Sequence, residues 1–218
     1  MPRVEAVVWD MDGTLVDSVD AVTGAYADAI VAGGAPRPTS EAVVAAYALG
    51  PPAALLTALL GRDCTGEDLA AYLDSLARRA ASVRVHDGVP AALAAVGAAL
   101  PMAVFTGAST AAAELLLGAA GLRMAFALVL GGDDVPRPKP FPDGLLHVCA
   151  RLGADPARTA YVGDSPLDLE CARRAGCVAV AAAWGHQYDP AAPRDVTAVS
   201  PSTVAEWVSR TARRPAPP

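Results

Sequence analysis

Five short stretches of the chain are apolar at nearly every position. None of them alternates between apolar and polar residues. An unbroken apolar run of this length is typical of a parallel β-strand that is covered on both faces. The predicted strands are Val4–Trp9, Met102–Thr106, Phe126–Leu130, Thr159–Gly163 and Cys177–Ala182.

Helical patterns occupy the segments between these strands. Val89, Leu93, Val96 and Leu100 recur at steps of four, three and four residues, which puts them on one face of a helix. The segment that begins at Leu145 repeats this spacing. Strands that alternate with helices predict a doubly wound α/β sheet, in which functional sites form at the carboxyl edge of the strands.

The connection between the first two predicted strands is longer than a single crossover helix requires. About ninety residues lie between the first strand and Met102, where a dozen or so suffice. The helix predicted over 89–100 can make the crossover, so the residues before it are surplus. They include Tyr72 on an apolar helix face and carry no strand pattern. We therefore expect a small, all-helical insertion.

The position of this insertion predicts its role. It begins just after the first strand, so it should overhang the carboxyl edge of the sheet as a lid or cap. We expect residues 1–15 and 85–218 to form the core and residues 16–84 the cap. Asp17 and Ser18 are the expected caps of the first helix of this segment.

Composition narrows the class of protein. The 218 residues are 53% hydrophobic with a mean hydropathy of +0.34, which allows a large buried core. The net charge of −6 argues against nucleic acid as a partner. No apolar run suits a membrane span and no secretory leader opens the chain, so we expect a cytoplasmic protein. We also expect it to be a monomer or a weak homodimer.

Paired carboxylates follow two of the predicted strands. Asp10 and Asp12 come directly after the first strand, and Asp164 and Asp168 after the fourth. One interpretation is structural, with these residues capping the helices that follow or favouring their N-terminal dipoles. The other is that a cation lies between them.

A hydroxyl and a lysine join the same predicted edge. Thr106 and Gly107 end the second strand, where free N–H groups can bind an anion, although Thr106 or Ser109 could also be a helix N-cap. Lys139 stands among prolines that stiffen its loop, and it is the single lysine beside sixteen arginines. Because the chain uses arginine everywhere else, the choice of lysine here suggests a site that needs a compact ammonium rather than a planar guanidinium.

Together these groups predict a metal and phosphate site. Four carboxylates at one edge of a sheet repel each other unless a cation neutralises them. Mg²⁺ suits carboxylates, water and a substrate phosphate. The threonine hydroxyl, the N–H groups and Lys139 can then hold the remaining phosphate oxygens of a small phosphorylated metabolite.

The motifs resemble those of the haloacid dehalogenase superfamily, in its phosphatase branch. DMDGTLVDS, which starts at Asp10, is similar to the first motif of that family. Thr106 matches the second, Lys139 in KPFPDG the third and GDSPLD the fourth. LGPPAALLTALLG and AAAWGH further resemble phosphoglycolate-phosphatase-type members. In one departure, Thr106 is followed by Gly107 and Ala108, where many relatives have an asparagine. This change keeps the backbone N–H contact to phosphate and removes any side-chain contact.

The resemblance implies a catalytic role for each aspartate. Asp10 is expected to attack phosphorus and form an aspartyl phosphate. Asp12 is expected to protonate the leaving oxygen and then deprotonate water. The expected ligands of Mg²⁺ are Asp10, the backbone carbonyl of Asp12 and Asp164, with Asp168 a direct or water-bridged ligand.

Three other functions remain open. A sugar-phosphate mutase of the phosphoglucomutase type has the same core residues but grips a second phosphate in its cap, for which four cap arginines are candidates: Arg37, Arg62, Arg78 and Arg79. A receiver-like phospho-acceptor module and a non-catalytic scaffold fit less well, because the insertion is long and every chemical group is present. The cap lacks the lysine of phosphonate-cleaving members, and Asp12 favours phosphate chemistry over dehalogenation.

Overall fold

The computed structural model of the protein describes residues 3–212 and contains a six-stranded parallel sheet and a two-stranded antiparallel pair. The large sheet has the order β5-β4-β1-β6-β7-β8, and the small pair joins β2 to β3. In chain order the strands are β1 (Ala6–Trp9), β2 (Val16–Asp17), β3 (Arg84–Val85), β4 (Met102–Phe105), β5 (Leu128–Leu130), β6 (Thr159–Gly163), β7 (Val178–Ala182) and β8 (Val196–Ala198).

Helices cover both faces of this sheet and fill the long first connection. They are α1 (Val19–Ala32), α2 (Ser40–Ala45), α3 (Pro52–Leu60), α4 (Gly66–Arg79), α5 (Val89–Gly97), α6 (Thr110–Ala119), α7 (Asp143–Leu152), α8 (Pro166–Ala175) and α9 (Pro201–Ala212). Within the described residues, no helix combines the length and the apolar character that crossing a bilayer demands.

The strands bury side chains on both faces, which explains their unbroken apolar runs. Val7 and Trp9 of β1 belong to one hydrophobic cluster, and Val8 between them belongs to the other. Phe105 of β4 and Tyr161 of β6 pack beside Val8 in that second cluster. The predicted doubly wound α/β fold is confirmed, with all five predicted strands in the parallel sheet.

The sheet contains one strand more than the sequence pattern indicated. β8 spans three residues and pairs with β7 at the edge of the sheet, from Val180↔Val196 to Ala182↔Ala198. Its central residue, Thr197, is exposed. An edge strand this short has too few buried positions to produce a recognisable apolar run.

The inserted segment is helical, as expected, but a small strand pair joins it to the core. Val16 pairs with Val85 and Asp17 with Arg84, and the Arg84 guanidinium lies 2.7 Å from the Asp17 carboxylate. The expectation that this segment lacks strands is therefore wrong at its two ends. Two-residue strands are too short to show a periodic pattern, and they bring the two connecting chains side by side.

Inside the insertion, α1 packs along α4. The rings of Tyr26 from α1 and Tyr72 from α4 are stacked, with centroids 4.3 Å apart. The Asp28 carboxylate on α1 binds Arg79 of α4 at 2.8 Å and Arg37 at 2.6 Å. The insertion is thus held together by its own aromatic and ionic contacts.

Candidate active site

The order of the strands brings the predicted site residues to one edge of the sheet. β4, β1 and β6 are neighbours, and their carboxyl ends lead to Thr106, Asp10 and Asp164. These three side chains are buried and line one pocket, together with Asp12 and Lys139. Gly107 lines the same pocket.

Lys139 lies between two carboxylates. Its Nζ donates to Asp10 Oδ1 at 2.8 Å and to Asp168 Oδ1 at 2.6 Å, and only 10% of the lysine side chain is exposed. Burial lowers the pKa of Lys139, but the attraction of both carboxylates outweighs it and leaves the pKa raised. The ammonium is therefore charged throughout the physiological range.

Asp168 has both of the roles that the sequence left open, since it stabilises the start of α8 and also belongs to the carboxylate cluster of the site. It is the N3 residue of a capping box, in which its Oδ2 accepts from the N–H of Ser165 at 3.0 Å and from the Ser165 hydroxyl at 2.6 Å. Its Oδ1 accepts from Lys139 and, at 3.1 Å, from the Tyr161 hydroxyl. The start of α8 therefore fixes the carboxylate that holds Lys139.

Asp164 does not cap α8, because Ser165 occupies the N-cap position. Its Oδ2 accepts from the Gln187 N–H at 3.0 Å, and its Oδ1 lies 3.4 Å from the Thr14 hydroxyl. Burial and the nearby charge of Asp168 raise the pKa of Asp164 to about 7. The capping alternative is thus wrong for Asp164, which instead faces the pocket with a destabilised charge.

The turn after β1 requires a glycine beside this carboxylate. Gly13 has φ +79°, a left-handed conformation that side chains rarely adopt. A Cβ at this position would also lie 2.4 Å from Asp164 Oδ2. Both the turn and the close approach to Asp164 therefore depend on the absence of a side chain.

The three buried carboxylates form a cluster that fits a hard divalent cation. One oxygen each from Asp10, Asp164 and Asp168 lies within 4.8 Å of the others. Burial, together with repulsion from Asp168 and Asp164, raises the pKa of Asp10 well above its ordinary value, although Lys139 opposes this. A single ammonium does not balance three carboxylates, and an oxygen-seeking cation such as Mg²⁺ would lower these pKa values.

Asp12 makes a contact that the sequence analysis missed. The hydroxyl of Ser18 donates to Asp12 Oδ1. Ser18 does occupy the N-cap position of α1, but its side chain makes no capping hydrogen bond, so its expected capping role is wrong. Burial raises the pKa of Asp12, and the hydrogen bond from Ser18 only partly offsets that effect.

The two hydroxyls after β4 have different roles. Ser109 is the N-cap of α6 and accepts from the Ala112 N–H at 3.2 Å. Thr106 lies in the pocket wall, where its Oγ1 accepts from the Ala108 N–H at 3.2 Å. The open question of which hydroxyl caps the helix is therefore answered in favour of Ser109.

The insertion supplies the opposite wall of the pocket. Val22, Tyr26, Tyr47, Leu55 and Tyr72 line it. Helical spacing predicts an apolar face for Tyr72, but it does not predict that this face lines a pocket. Its position over the site depends on the packing of α1 against α4, which no local pattern in the sequence reveals.

The chain belongs to the haloacid dehalogenase-like hydrolases, whose family model matches residues 4–176. A probable phosphatase, IndB, of Dickeya dadantii is 36% identical over 187 residues, covering 82% of this chain and 81% of that protein. The phosphoglycolate phosphatase of Escherichia coli K12 is 30% identical over 215 residues, covering 86% and 84%. The predicted family and enzyme class, a phosphoric monoester hydrolase, are confirmed.

Solved structures show the same fold. CbbY from Rhodobacter sphaeroides, in complex with phosphate, superposes with a TM-score of 0.79 at 21% identity, covering 91% of this chain and 95% of that one. A predicted phosphoglycolate phosphatase from Haemophilus somnus 129pt gives 0.76 at 22% identity, covering 95% and 99%. The fold is therefore shared across much lower sequence identity than that of the curated relatives.

Proposed function

We propose that this protein is a Mg²⁺-dependent phosphatase that hydrolyses a small phosphate monoester through an aspartyl-phosphate intermediate on Asp10. One observation carries the proposal: the buried Asp10 carboxylate lies 2.8 Å from the Lys139 ammonium, beside two further buried carboxylates and a pocket. A nucleophile, a fixed positive charge and candidate metal ligands thus share one site.

Asp10 is the proposed nucleophile. It directly follows β1, lines the pocket and hydrogen-bonds to Lys139 through one oxygen. Attack of a carboxylate oxygen on phosphorus breaks the bond to the leaving alcohol and forms an acyl phosphate. The Lys139 ammonium favours the ionised form of Asp10 that this attack requires.

Asp12 is the proposed proton carrier. Its carboxyl group is largely buried at the pocket, where burial raises its pKa, and Ser18 orients it. A protonated Asp12 can donate to the leaving oxygen in the first step. The resulting carboxylate can then take a proton from the water that attacks the phosphoryl group on Asp10.

Thr106, Gly107 and Lys139 are the proposed phosphate-binding groups. All three line the pocket that contains Asp10. A hydroxyl, a backbone N–H and an ammonium can each donate to a phosphoryl oxygen, and Lys139 also offsets the negative charge that spreads in the transition state. Asp168 would position Lys139 for this role through the hydrogen bond at 2.6 Å.

Asp10, Asp164 and the backbone carbonyl of Asp12 are the proposed ligands of Mg²⁺, with Asp168 a direct or water-bridged ligand. The proximity of the three carboxylates supports this assignment. When bound, the ion would neutralise charge on the phosphoryl oxygens. The raised pKa values of Asp10 and Asp164 also support the assignment, because a bound cation would stabilise both ionised carboxylates.

We further propose that residues 16–84 are the cap of this site and that residues 1–15 and 85–218 form the catalytic core. The strand pair of β2 and β3 supports these boundaries, because both connections run through it. Tyr26, Tyr47 and Tyr72 from the helical segment line the pocket, which supports a role in covering the substrate.

The arrangement of the cap arginines favours hydrolysis over the mutase alternative. Arg37 and Arg79 bind Asp28, and Arg62 binds Asp68 at 2.7 Å. Arg78 is exposed. None of these four arginines is among the residues that line the pocket in the described part of the chain, so none is positioned there to hold a second phosphate.

The proposed division of roles is tested with Asp12→Asn and p-nitrophenyl phosphate. Its leaving group departs as a stable phenolate and needs no acid, whereas hydrolysis of the aspartyl phosphate still needs a base. We expect a burst of p-nitrophenol stoichiometric with the enzyme, followed by slow turnover. Asp10→Asn should give neither phase. A burst that persists in Asp10→Asn would overturn the assignment of the nucleophile.

A further inference from the structure

The wall that the insertion contributes to the pocket is aromatic and uncharged. It consists of Tyr26, Tyr47 and Tyr72 together with Val22, Gly50 and Leu55. Tyr26 and Tyr72 are almost fully buried and stack on each other, whereas Tyr47 is half-buried. With the phosphoryl group held at Asp10 and Lys139, as proposed above, this wall would face the alcohol part of the substrate.

Charge is distributed unevenly over the pocket. Among the residues that line it between 3 and 212, the cation is Lys139, which is already bound by Asp10 and Asp168. The charged side chains of the insertion are not among the residues that line the pocket, and Arg62, for example, pairs with Asp68. A second anionic group on the substrate would therefore find no free positive partner in this pocket.

The three phenols are uncharged. Burial raises the pKa of each, so none of them ionises near neutral pH. A carboxylate or second phosphate placed among these rings would lose its hydration without gaining a cationic partner. An uncharged alcohol would instead pack on the rings without this penalty.

Tyr47 offers the wall a polar contact. Its ring lines the pocket, and within residues 3–212 its hydroxyl makes no hydrogen bond to the protein. A phenol in this position can donate to, or accept from, a hydroxyl group on the substrate. The wall therefore combines apolar surface with a neutral hydrogen-bonding group.

We propose that the substrate is the phosphate monoester of an uncharged, hydroxylated alcohol, and that Tyr26, Tyr47 and Tyr72 select it against esters with a second anionic group. This inference rests on the proposed phosphatase function. It separates the protein from the substrate that phosphoglycolate phosphatases are named for, because phosphoglycolate has a carboxylate next to its phosphate-bearing carbon.

Two esters of equal length test the proposal. 2-Hydroxyethyl phosphate and 2-phosphoglycolate differ at the end that meets the tyrosines, which is a hydroxymethyl group in one and a carboxylate in the other. With the full-length enzyme and Mg²⁺, we expect kcat/KM to be at least about tenfold higher for 2-hydroxyethyl phosphate. Equal values, or a preference for phosphoglycolate, would overturn the inference.

A charge introduced into the wall should change this preference. Tyr47→Lys provides the missing cation, so the preference for 2-hydroxyethyl phosphate should shrink by about tenfold. Leu49→Lys adds the same charge two residues away, where Leu49 is 51% exposed and outside the pocket lining, and should leave the preference unchanged. An equal shift in both variants would indicate a general charge effect and contradict the role of Tyr47.

Tyr47→Phe tests the hydroxyl without changing charge or shape. We expect it to lower kcat/KM about three- to tenfold more for 2-hydroxyethyl phosphate than for ethyl phosphate, which lacks the free hydroxyl group. p-Nitrophenyl phosphate separates the two levels of failure. If the enzyme hydrolyses this ester but does not prefer 2-hydroxyethyl phosphate to 2-phosphoglycolate, only the present inference is wrong. No turnover of any ester would overturn the phosphatase proposal and this inference with it.

Discussion

The carboxyl edge of the sheet and the helical insertion meet at one pocket but use charge in opposite ways. The sheet edge gathers buried carboxylates around Lys139, and Asp10, Asp164 and Lys139 line the pocket. The insertion also has ion pairs, Arg62 with Asp68 and Arg79 with Asp28, but these join its own segments and none of the four lines the pocket.

This difference separates the proposed chemistry from the proposed choice of substrate. Every phosphate monoester presents the same phosphoryl group, so the sheet edge can use fixed charges for any substrate of this class. The alcohol that leaves varies from one ester to another, and it meets the wall that contains Tyr47. Changes at Asp10 or Lys139 should therefore affect all esters alike, and changes in the insertion should affect them unequally.

The largest expected effect comes from Asp10→Asn. The amide is nearly the same size as the carboxylate but is not a nucleophile, so kcat should fall by more than about a thousandfold for every ester. Circular dichroism should show an unchanged fold. Asp20→Asn is the matched control, because Asp20 is exposed in the first turn of α1, and its kcat should remain that of the native enzyme. Comparable turnover by Asp10→Asn would refute the proposed nucleophile.

Lys139→Arg should lower kcat/KM by about a hundredfold although it preserves the charge. The native ammonium fits between Asp10 and Asp168 with little exposed surface, and a longer, planar guanidinium cannot keep both contacts in the same space. Arg137→Lys is the control in the same loop, since Arg137 is exposed and pairs with Asp143. Retained activity in Lys139→Arg would show that the site does not need a compact cation.

A smaller effect is expected from pH on the metal-free protein. Burial raises the pKa of Asp164 from 3.8 to about 7, so between these values the folded protein holds a proton that the unfolded chain has released. The free energy of unfolding in EDTA should therefore fall as the pH rises through this window. Chemical unfolding at several pH values measures this slope.

The same titration tests the metal site. Protons compete with Mg²⁺ for the carboxylates, so Mg²⁺ should stabilise the protein more at about pH 8 than at about pH 5. Asp164→Asn should flatten the dependence in EDTA and weaken the effect of Mg²⁺. If Mg²⁺ stabilises Asp164→Asn and the native protein equally at all pH values, Asp164 is not a ligand.

The sheet edge was largely predictable from sequence because its signals are local. An apolar run that ends at Asp10 or Asp164 predicts a buried strand, and it also predicts that the aspartate lies at the carboxyl edge of the sheet. Lys139 is the single lysine beside sixteen arginines, which indicated a site that needs a compact ammonium. The pattern did not predict the hydrogen-bond partners of these residues. The Gln187 N–H, for example, donates to Asp164, and the two residues lie in segments that are distant in the chain.

The pocket side of the insertion was less predictable for the same reason. Tyr26 and Tyr72 meet only when α1 packs on α4. The sequence is equally consistent with Arg79 facing the pocket. In the structure its guanidinium instead binds Asp28 of another helix. Helical spacing identifies the residues that share a face, but it does not reveal which neighbour covers that face.

Arg79→Gln should have the smallest effect and tests the mutase alternative directly. The guanidinium lies 2.8 Å from Asp28, but the two side chains are 38% and 27% exposed, so the pair should contribute only about 0.5–1 kcal/mol to the free energy of unfolding. Urea unfolding measures that loss, and phosphate release should stay within about twofold of the native rate. Arg78→Gln, at the exposed neighbouring position, should change neither quantity. If the native enzyme instead isomerises a sugar phosphate without releasing phosphate, and Arg79→Gln loses that activity, then the insertion presents a cation to the substrate and the contrast between the two regions is wrong.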